Sequence, residues 1–225
     1  MSLRGKGMLA VFAEVKPRDE RDLNEWYNRE HIDERIGMPG FHRARRYVAV
    51  RGSPRYLATY ECNKVGDLAD PRYLEMLAKP TPWTASVTGR FTQFRRMTLR
   101  AHVDLTHGVG GALTAVRFVP DPGRSRPLIE WLRDDALPRA IARPGLVGAA
   151  ALEDDLETAN APVQQKSMDH PRTEQIEWLV LLEGSDAAAT GAAARLLFKS
   201  SSLKPFGATQ PPTIGTYRLL FGNER

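Results

Sequence analysis

The sequence predicts an α+β fold made twice over, with two βαββαβ repeats whose antiparallel sheets pack face to face into a barrel within one chain. Three observations carry this reading. The chain has 225 residues, long for one ordinary domain and short for two, since domains most often run about 100 to 150 residues. Sliding it against itself by 105 residues aligns Ala10 to Phe41 with Ala115 to Leu146 without a gap, and 10 of those 32 positions are identical; unrelated segments would share about two. Strand-like and helix-like segments then follow in the same order in both halves.

The first half opens with an apolar, β-branched and aromatic run, Met8 to Val15, stopped by Pro17, which reads as a strand. Arg18 to about Ile36 reads as a helix ending before the Pro39-Gly40 turn. Phe41 to Val50 returns to strand composition, Gly52-Ser53-Pro54 marks a turn, and Tyr56 to Cys62 completes a hairpin. Asp70 to Ala78 reads as a short helix and Arg90 to Leu99 as the closing strand. This order is the ferredoxin-like split unit.

The second half repeats it over Leu113–Val119, Arg124–Ile141, Leu146–Glu153, Glu177–Glu183, Asp186–Phe198 and Thr213–Phe221. Its hairpin connection, Asp154 to Thr173, carries a 17-residue insertion with two prolines and is the expected mobile loop. The repeats are assigned to residues 8–101 and 112–225, joined by a polar, glycine-rich segment, His102 to Gly111. A four-stranded sheet with helices on one face leaves its other face to be covered, and the twin half is the natural cover. The expected result is an intramolecular α/β barrel.

Composition excludes several classes. With 42% hydrophobic and 26% charged residues, the chain is neither disordered nor collagen-like. A single cysteine, Cys62, forbids an intramolecular disulfide and is expected to be an inert small apolar residue. No apolar run approaches the roughly 18 residues that span a membrane, and the start lacks a signal peptide's apolar stretch, so the expected location is cytoplasmic and no membrane partner is expected. The formal charge is +5, with 25 arginines among 32 basic residues. The densest basic stretch is Arg43, Arg45, Arg46, with Arg95-Arg96 a second pair. Without a helix-turn-helix, zinc-finger, RNP or KH signature, these arginines are expected on exposed strand faces rather than on nucleic acid.

The segment Glu25-Trp26-Tyr27-Asn28-Arg29-Glu30-His31-Ile32-Asp33-Glu34-Arg35, followed by Met38-Pro39-Gly40-Phe41 and Arg45-Arg46-Tyr47, resembles the dimeric α+β barrel superfamily. More narrowly, it resembles EthD-like and related bacterial proteins with a W-x4-H segment before a P-G-[FL] turn. The superfamily includes cofactor-free monooxygenases, muconolactone-type isomerases, polyketide cyclases and some haem enzymes. The resemblance implies a pocket for a small aromatic or lactone-like compound and does not choose a chemistry.

On the predicted helix, Leu23, Trp26, Tyr27, Glu30, His31 and Glu34 share one face. The equivalent face of the second half is Leu128, Trp131, Leu132, Asp135, Ala136 and Arg139. Leucine and tryptophan persist as core residues, whereas the phenol and imidazole of Tyr27 and His31 become Leu132 and Ala136. An imidazole can exchange a proton near neutral pH, and Glu30 or Glu34 could set its tautomer. The competing reading makes His31 an inert brace at the helix end. Strand alternation places Phe41, Arg43, Arg45 and Tyr47 on one face, and Tyr56, Ala58, Tyr60 and Cys62 on one face of the partner strand.

The expectation is therefore a small-molecule enzyme working by cofactor-independent acid/base chemistry as an isomerase, cyclase or monooxygenase-like protein. His31 and Tyr27 would be catalytic, and Tyr47, Arg43, Arg45, Tyr60 and Glu30 would bind the ligand. The alternative is a non-catalytic ligand-binding or stress-associated barrel. No metal is expected, since Glu30, His31, Asp33 and Glu34 point in different directions on a helix and neither H-E-x-x-H nor paired C-x-x-C occurs. Haem through an axial His31 and a homo-oligomer of the duplicated chain stay open. Gly108-Val109-Gly110-Gly111 lacks the context of a phosphate loop, and no G-x-S-x-G elbow is present.

Overall fold

The computed structural model describes residues 3–161 and 174–225. The first repeat runs β1 (Gly7–Glu14), α1 (Glu20–Trp26), a π-helical turn (Tyr27–His31), α2 (Ile32–Ile36), β2 (Phe41–Arg51), β3 (Tyr56–Cys62), α3 (Pro71–Ala78), α4 (Pro82–Thr88) and β4 (Gln93–Asp104). The second runs β5 (Ala112–Phe118), α5 (Ser125–Trp131), a π-helical turn (Leu132–Ala136), α6 (Leu137–Ile141), β6 (Leu146–Asp154), α7 (Leu156–Ala159), β7 (Trp178–Gly184), α8 (Ala187–Leu197), α9 (Ser200–Leu203) and β8 (Thr213–Glu224). The α4, α7 and α9 segments go beyond the expected elements. The segment expected to join the repeats begins as strand, because β4 continues to Asp104. Within the expected mobile loop, Asp154–Thr173, residues 162–173 lie outside the described residues.

The strands close into one antiparallel barrel in the order β1-β3-β2-β8-β5-β7-β6-β4. Each repeat keeps the ferredoxin-like order, β4-β1-β3-β2 and β8-β5-β7-β6. The two sheets join at the seams β2–β8 and β4–β6, so every strand edge finds a partner. Alternation sends Met8, Ala10 and Phe12 of β1 into the lumen, where Leu57, Leu99, Leu152 and Leu181 meet them. Leu9, Val11 and Ala13 face the first repeat's helices. Each large apolar side chain so enclosed contributes roughly 1.5–3 kcal/mol. The repeated Pro-Gly turn is kept because Gly40 and Gly145 both take a left-handed backbone, φ +87° and +84°, which a side chain would strain.

Two irregularities reposition the expected site. The helix of each repeat contains one π turn at the same aligned place. A π turn holds an extra residue, which rotates everything after it relative to the stripe before. The buried face therefore runs Leu23, Trp26, Tyr27, His31 and then Ile32, Arg35 and Ile36, while Glu30 and Glu34 move to its margin. In the second repeat the same slip buries Leu137 and Ala140 and leaves Arg139 exposed and paired with Asp135. Trp131, unlike Trp26, is only partly buried, against Phe198 and Phe206.

The second irregularity is a bulge in β2 between Phe41 and Arg43. It turns Phe41 toward the helices and Arg43, Arg45 and Tyr47 into the lumen, so the expected shared face of these four residues is corrected. None of the three adjacent arginines lies on an exposed strand face: Arg43, Arg45 and Arg46 are 3%, 4% and 2% exposed. They are therefore closed to nucleic-acid phosphates. At one end of the lumen Glu61 accepts from Arg43 Nε at 2.9 Å, Arg43 Nη2 at 2.8 Å, Arg45 Nη2 at 3.1 Å and the Arg4 backbone at 2.8 Å. Arg45 Nη1 also donates to Glu183 at 2.5 Å, tying the repeats together.

Among the described residues, no helix is long and apolar enough to cross a membrane.

Candidate active site between the first helix and the sheet

The π turn places Tyr27 and His31 under the helix, against the outer face of β1 and β3. His31 sits in an aromatic box. Its ring centroid lies 4.1 Å from that of Trp26, 5.3 Å from Tyr27 and 5.9 Å from Tyr60, the last two edge-on. Beside it is a cavity of about 40 Å³, bounded by Tyr60 and Leu9 from the sheet, Arg35 from α2, Tyr73 and Leu77 from α3, Thr84 and Thr88 from α4, and Arg96 with Phe94 from β4. Phe91 and Phe94 stack at 5.6 Å along its margin, both partly exposed.

The polar groups here are underused. His31 is 9% exposed, and its Nδ1 has no hydrogen-bond partner. Burial, reinforced by the positive charges of Arg35 and Arg46, holds the imidazole well below its ordinary pKa, so the ring is neutral at pH 7. Burial raises both phenols, Tyr60 well above its ordinary value, against the opposing pull of the nearby arginines. Tyr60 Oη has no well-formed hydrogen bond, though it lies close enough to Tyr27 for each phenol to influence the other. Both phenols keep their protons and can donate.

Arg46 stacks over the Tyr27 ring at 4.0 Å. Its Nη1 and Nη2 donate to Asn28 Oδ1 at 3.0 Å and Asn24 Oδ1 at 2.8 Å. Both acceptors are neutral, so its charge is fixed without being cancelled.

Glu30 does not orient His31. Its Oε1 accepts from Thr81 Oγ1 at 2.6 Å and Thr84 Oγ1 at 3.0 Å, and Thr84 Oγ1 accepts from Trp26 Nε1 at 3.0 Å. The carboxylate fastens α4 to the helix above it. Glu34 lies with Arg35 along an adjoining cleft, and burial raises its carboxyl.

The structure thus brings together Tyr27, His31 and Tyr60, with Glu30 at the edge. It sends Arg43, Arg45 and Tyr47 through the sheet into the lumen, where the Tyr47 hydroxyl is fully buried and pushed up by desolvation. Arg35, Arg46 and Arg96 take the place of the expected arginines. Arg46 could be found from the sequence only by knowing the β2 bulge, and Arg35 only by knowing the π turn. In the second repeat, Leu132, Ala136 and Leu137 are completely buried in an apolar cluster at the equivalent place. Cys62 is buried, with its thiol pushed up to about 12.

Among the described residues no three His, Cys, Asp or Glu side chains gather as a metal site. Nor does the cavity fit haem, since about 40 Å³ among packed aromatic rings leaves no room for a porphyrin.

No protein-family model matches the chain, and no curated protein is significantly similar to it. Solved structures do share its fold. An anthrone oxidase-like protein superposes with a TM-score of 0.70 at 15% identity, over 100% of this chain and 95% of that one. A structure assigned as a monooxygenase from Lactobacillus acidophilus gives 0.58 at 8% identity, over 97% and 96%. One assigned as a chlorite dismutase gives 0.54 at 14% identity, over 96% of both chains. The fold is the ferredoxin-like α+β barrel, built here from a duplicated unit in one chain.

Proposed function

We propose that this protein is an enzyme that moves a proton on a small aromatic or lactone-like molecule, with His31 as the base and no cofactor required for that step. The observation that carries the reading is the neutral imidazole of His31, with Nδ1 unpartnered and the residue lining a cavity, at a helix position that is alanine in the other repeat. In the tautomer protonated on Nε2, the Nδ1 lone pair removes a proton next to a carbonyl. The electron pair left behind moves onto the carbonyl oxygen, where the protonated phenols of Tyr27 and Tyr60 donate to it and the arginine charges stabilise it. The same charges disfavour the imidazolium, so His31 returns the proton, to the same carbon or to another that shares the delocalised charge. The anthrone oxidase-like and monooxygenase relatives suggest the same kind of substrate through fold analogy alone.

The test is solvent exchange. The protein is incubated in deuterium oxide with a panel of small enolisable aromatic ketones and unsaturated lactones, and deuterium incorporation is read by mass spectrometry. His31→Ala should slow exchange about 10²- to 10⁴-fold, the usual contribution of a positioned base. Exchange that is equal in wild type and His31→Ala would refute the assignment. Binding without exchange for the whole panel would favour the non-catalytic barrel.

A further inference from the structure

Elsewhere among the described residues, buried and half-buried arginines are met by acids. Arg43 and Arg45 face Glu61 and Glu183, Arg90 faces Asp19 and Asp22, and Arg95 faces Glu177. Around the His31 cavity the pattern stops. Among the described residues Arg35, Arg46 and Arg96 form no ion pair. Arg35 is 5% exposed, and its neighbours are Met76 Sδ at 2.8 Å and the Tyr73 ring at 5.7 Å. Arg96 is half-buried and lines the cavity, with Nη2 inaccessible and unbonded. Arg46, stacked on Tyr27 and off the cavity wall, is held by two neutral amides. The acids within reach are otherwise placed: Glu30 is taken by two threonines, and Glu34 lies in the adjoining cleft, where it feels the charge of Arg35 without forming an ion pair with it.

Enclosing a cation without a counter-charge is costly. Arg35 and Arg96 line one cavity whose walls carry no acid, which defines what is missing from it, a negative charge. The walls define the rest of the partner, because Trp26, Tyr60, Tyr73 and Phe91 offer ring faces and edges suited to a flat ring. Guanidinium groups match a planar carboxylate through paired N–H donors.

We propose that the cavity takes a single-ring aromatic carboxylate, with its anionic oxygens on Arg96 and Arg35 and its ring among the aromatic walls beside His31. This rests on the reading of the cavity as the ligand site and adds the charge of the substrate. The enclosed volume of about 40 Å³ is well short of the roughly 150 Å³ that accommodates benzene in an engineered cavity. Entry therefore moves the stacked Phe91–Phe94 pair outward. The arriving anion also offsets the field that depresses His31, strengthening the base when substrate is present.

The test uses benzoate and its neutral isostere benzamide as probes of the full chain, by thermal shift and calorimetry, with Arg96→Gln and Arg96→Lys. Benzoate should raise Tm by about 5 to 10 °C at a hundredfold excess over its Kd, and benzamide should not. Arg96→Gln should melt at or above the wild-type temperature, because it removes an unanswered charge, yet bind benzoate about ten- to a hundredfold more weakly. Arg96→Lys should restore part of the affinity. Equal binding of the two probes, no binding of benzoate, unchanged benzoate affinity in Arg96→Gln, or a ligand-free Arg96→Gln that melts several degrees low would each overturn the proposal. His31-dependent exchange on neutral ketones without benzoate binding would sink the anion site and leave the proton-transfer reading intact. Arg96-dependent benzoate binding without His31-dependent exchange would do the reverse.

Discussion

Acidification should weaken this fold through His31 in a way that a single substitution can isolate. The unfolded imidazole titrates near 6.5, whereas burial and two arginines keep the folded one well below that value. Between pH 7.5 and 5.5 the unfolded chain gains nearly one proton at this residue and the native chain gains fewer, so stability falls as pH falls. The ceiling on the effect, set by a native imidazole that takes up no proton by pH 5.5, is a tenfold change in the population term, or about 1.4 kcal/mol. For a chain of this length that corresponds to about 3–6 °C in Tm. The assay is urea denaturation of wild type and His31→Leu at the two pH values. Both proteins keep every other titrating group, so the difference between their pH-induced losses belongs to His31. Losses that agree within about 0.3 kcal/mol would show that the native imidazole titrates normally, and the electrostatic account of the cavity would fail.

Asp154 should work in the opposite direction. Burial raises its carboxyl to about 6, so its stabilising effect is present at low pH and is lost as pH rises through that value. Asp154→Asn should therefore remove about 0.8 kcal/mol of the relative stability at pH 5.5 over pH 7.5, read by the same denaturation series. Glu61→Gln should destabilise the barrel by about 3–5 kcal/mol, because one buried carboxylate answers both Arg43 and Arg45. Denaturation at pH 7.5 checks this, and a loss below about 1 kcal/mol would mean that Glu183 alone satisfies the lumen.

Much of this protein was legible in its sequence. Trp26 and Leu23 recur at a spacing of 105 residues because each repeat must bury the same helix against the same kind of sheet. Loss of Tyr27 and His31 from the second repeat pointed to the half in which polar side chains gather. The arginines were not legible in this way. Strict alternation along β2 grouped Phe41 with Arg43, Arg45 and Tyr47, whereas one bulged residue put Phe41 on the opposite face. Strict helical spacing grouped Glu30 and Glu34 with His31, whereas the π turn substituted Arg35. Both errors have one origin, since a single extra residue reverses a strand's faces and rotates a helix's stripe.

The sequence by itself determined the duplication, the order of elements, the barrel that two half-covered sheets must make, and the presence of an imidazole on the long helix of one half, where the other has Ala136. These follow from apolar periodicity, turn residues and internal identity, all local along the chain. The tertiary structure decided which charges meet. Arg43 and Arg45 find Glu61 and Glu183 only because the barrel closes, and Arg35 and Arg96 meet at the His31 cavity only because the π turn aims the one and the fold brings β4 alongside with the other. Pairing of charges depends on distance across elements far apart in the chain, and that distance exists only once the chain has folded.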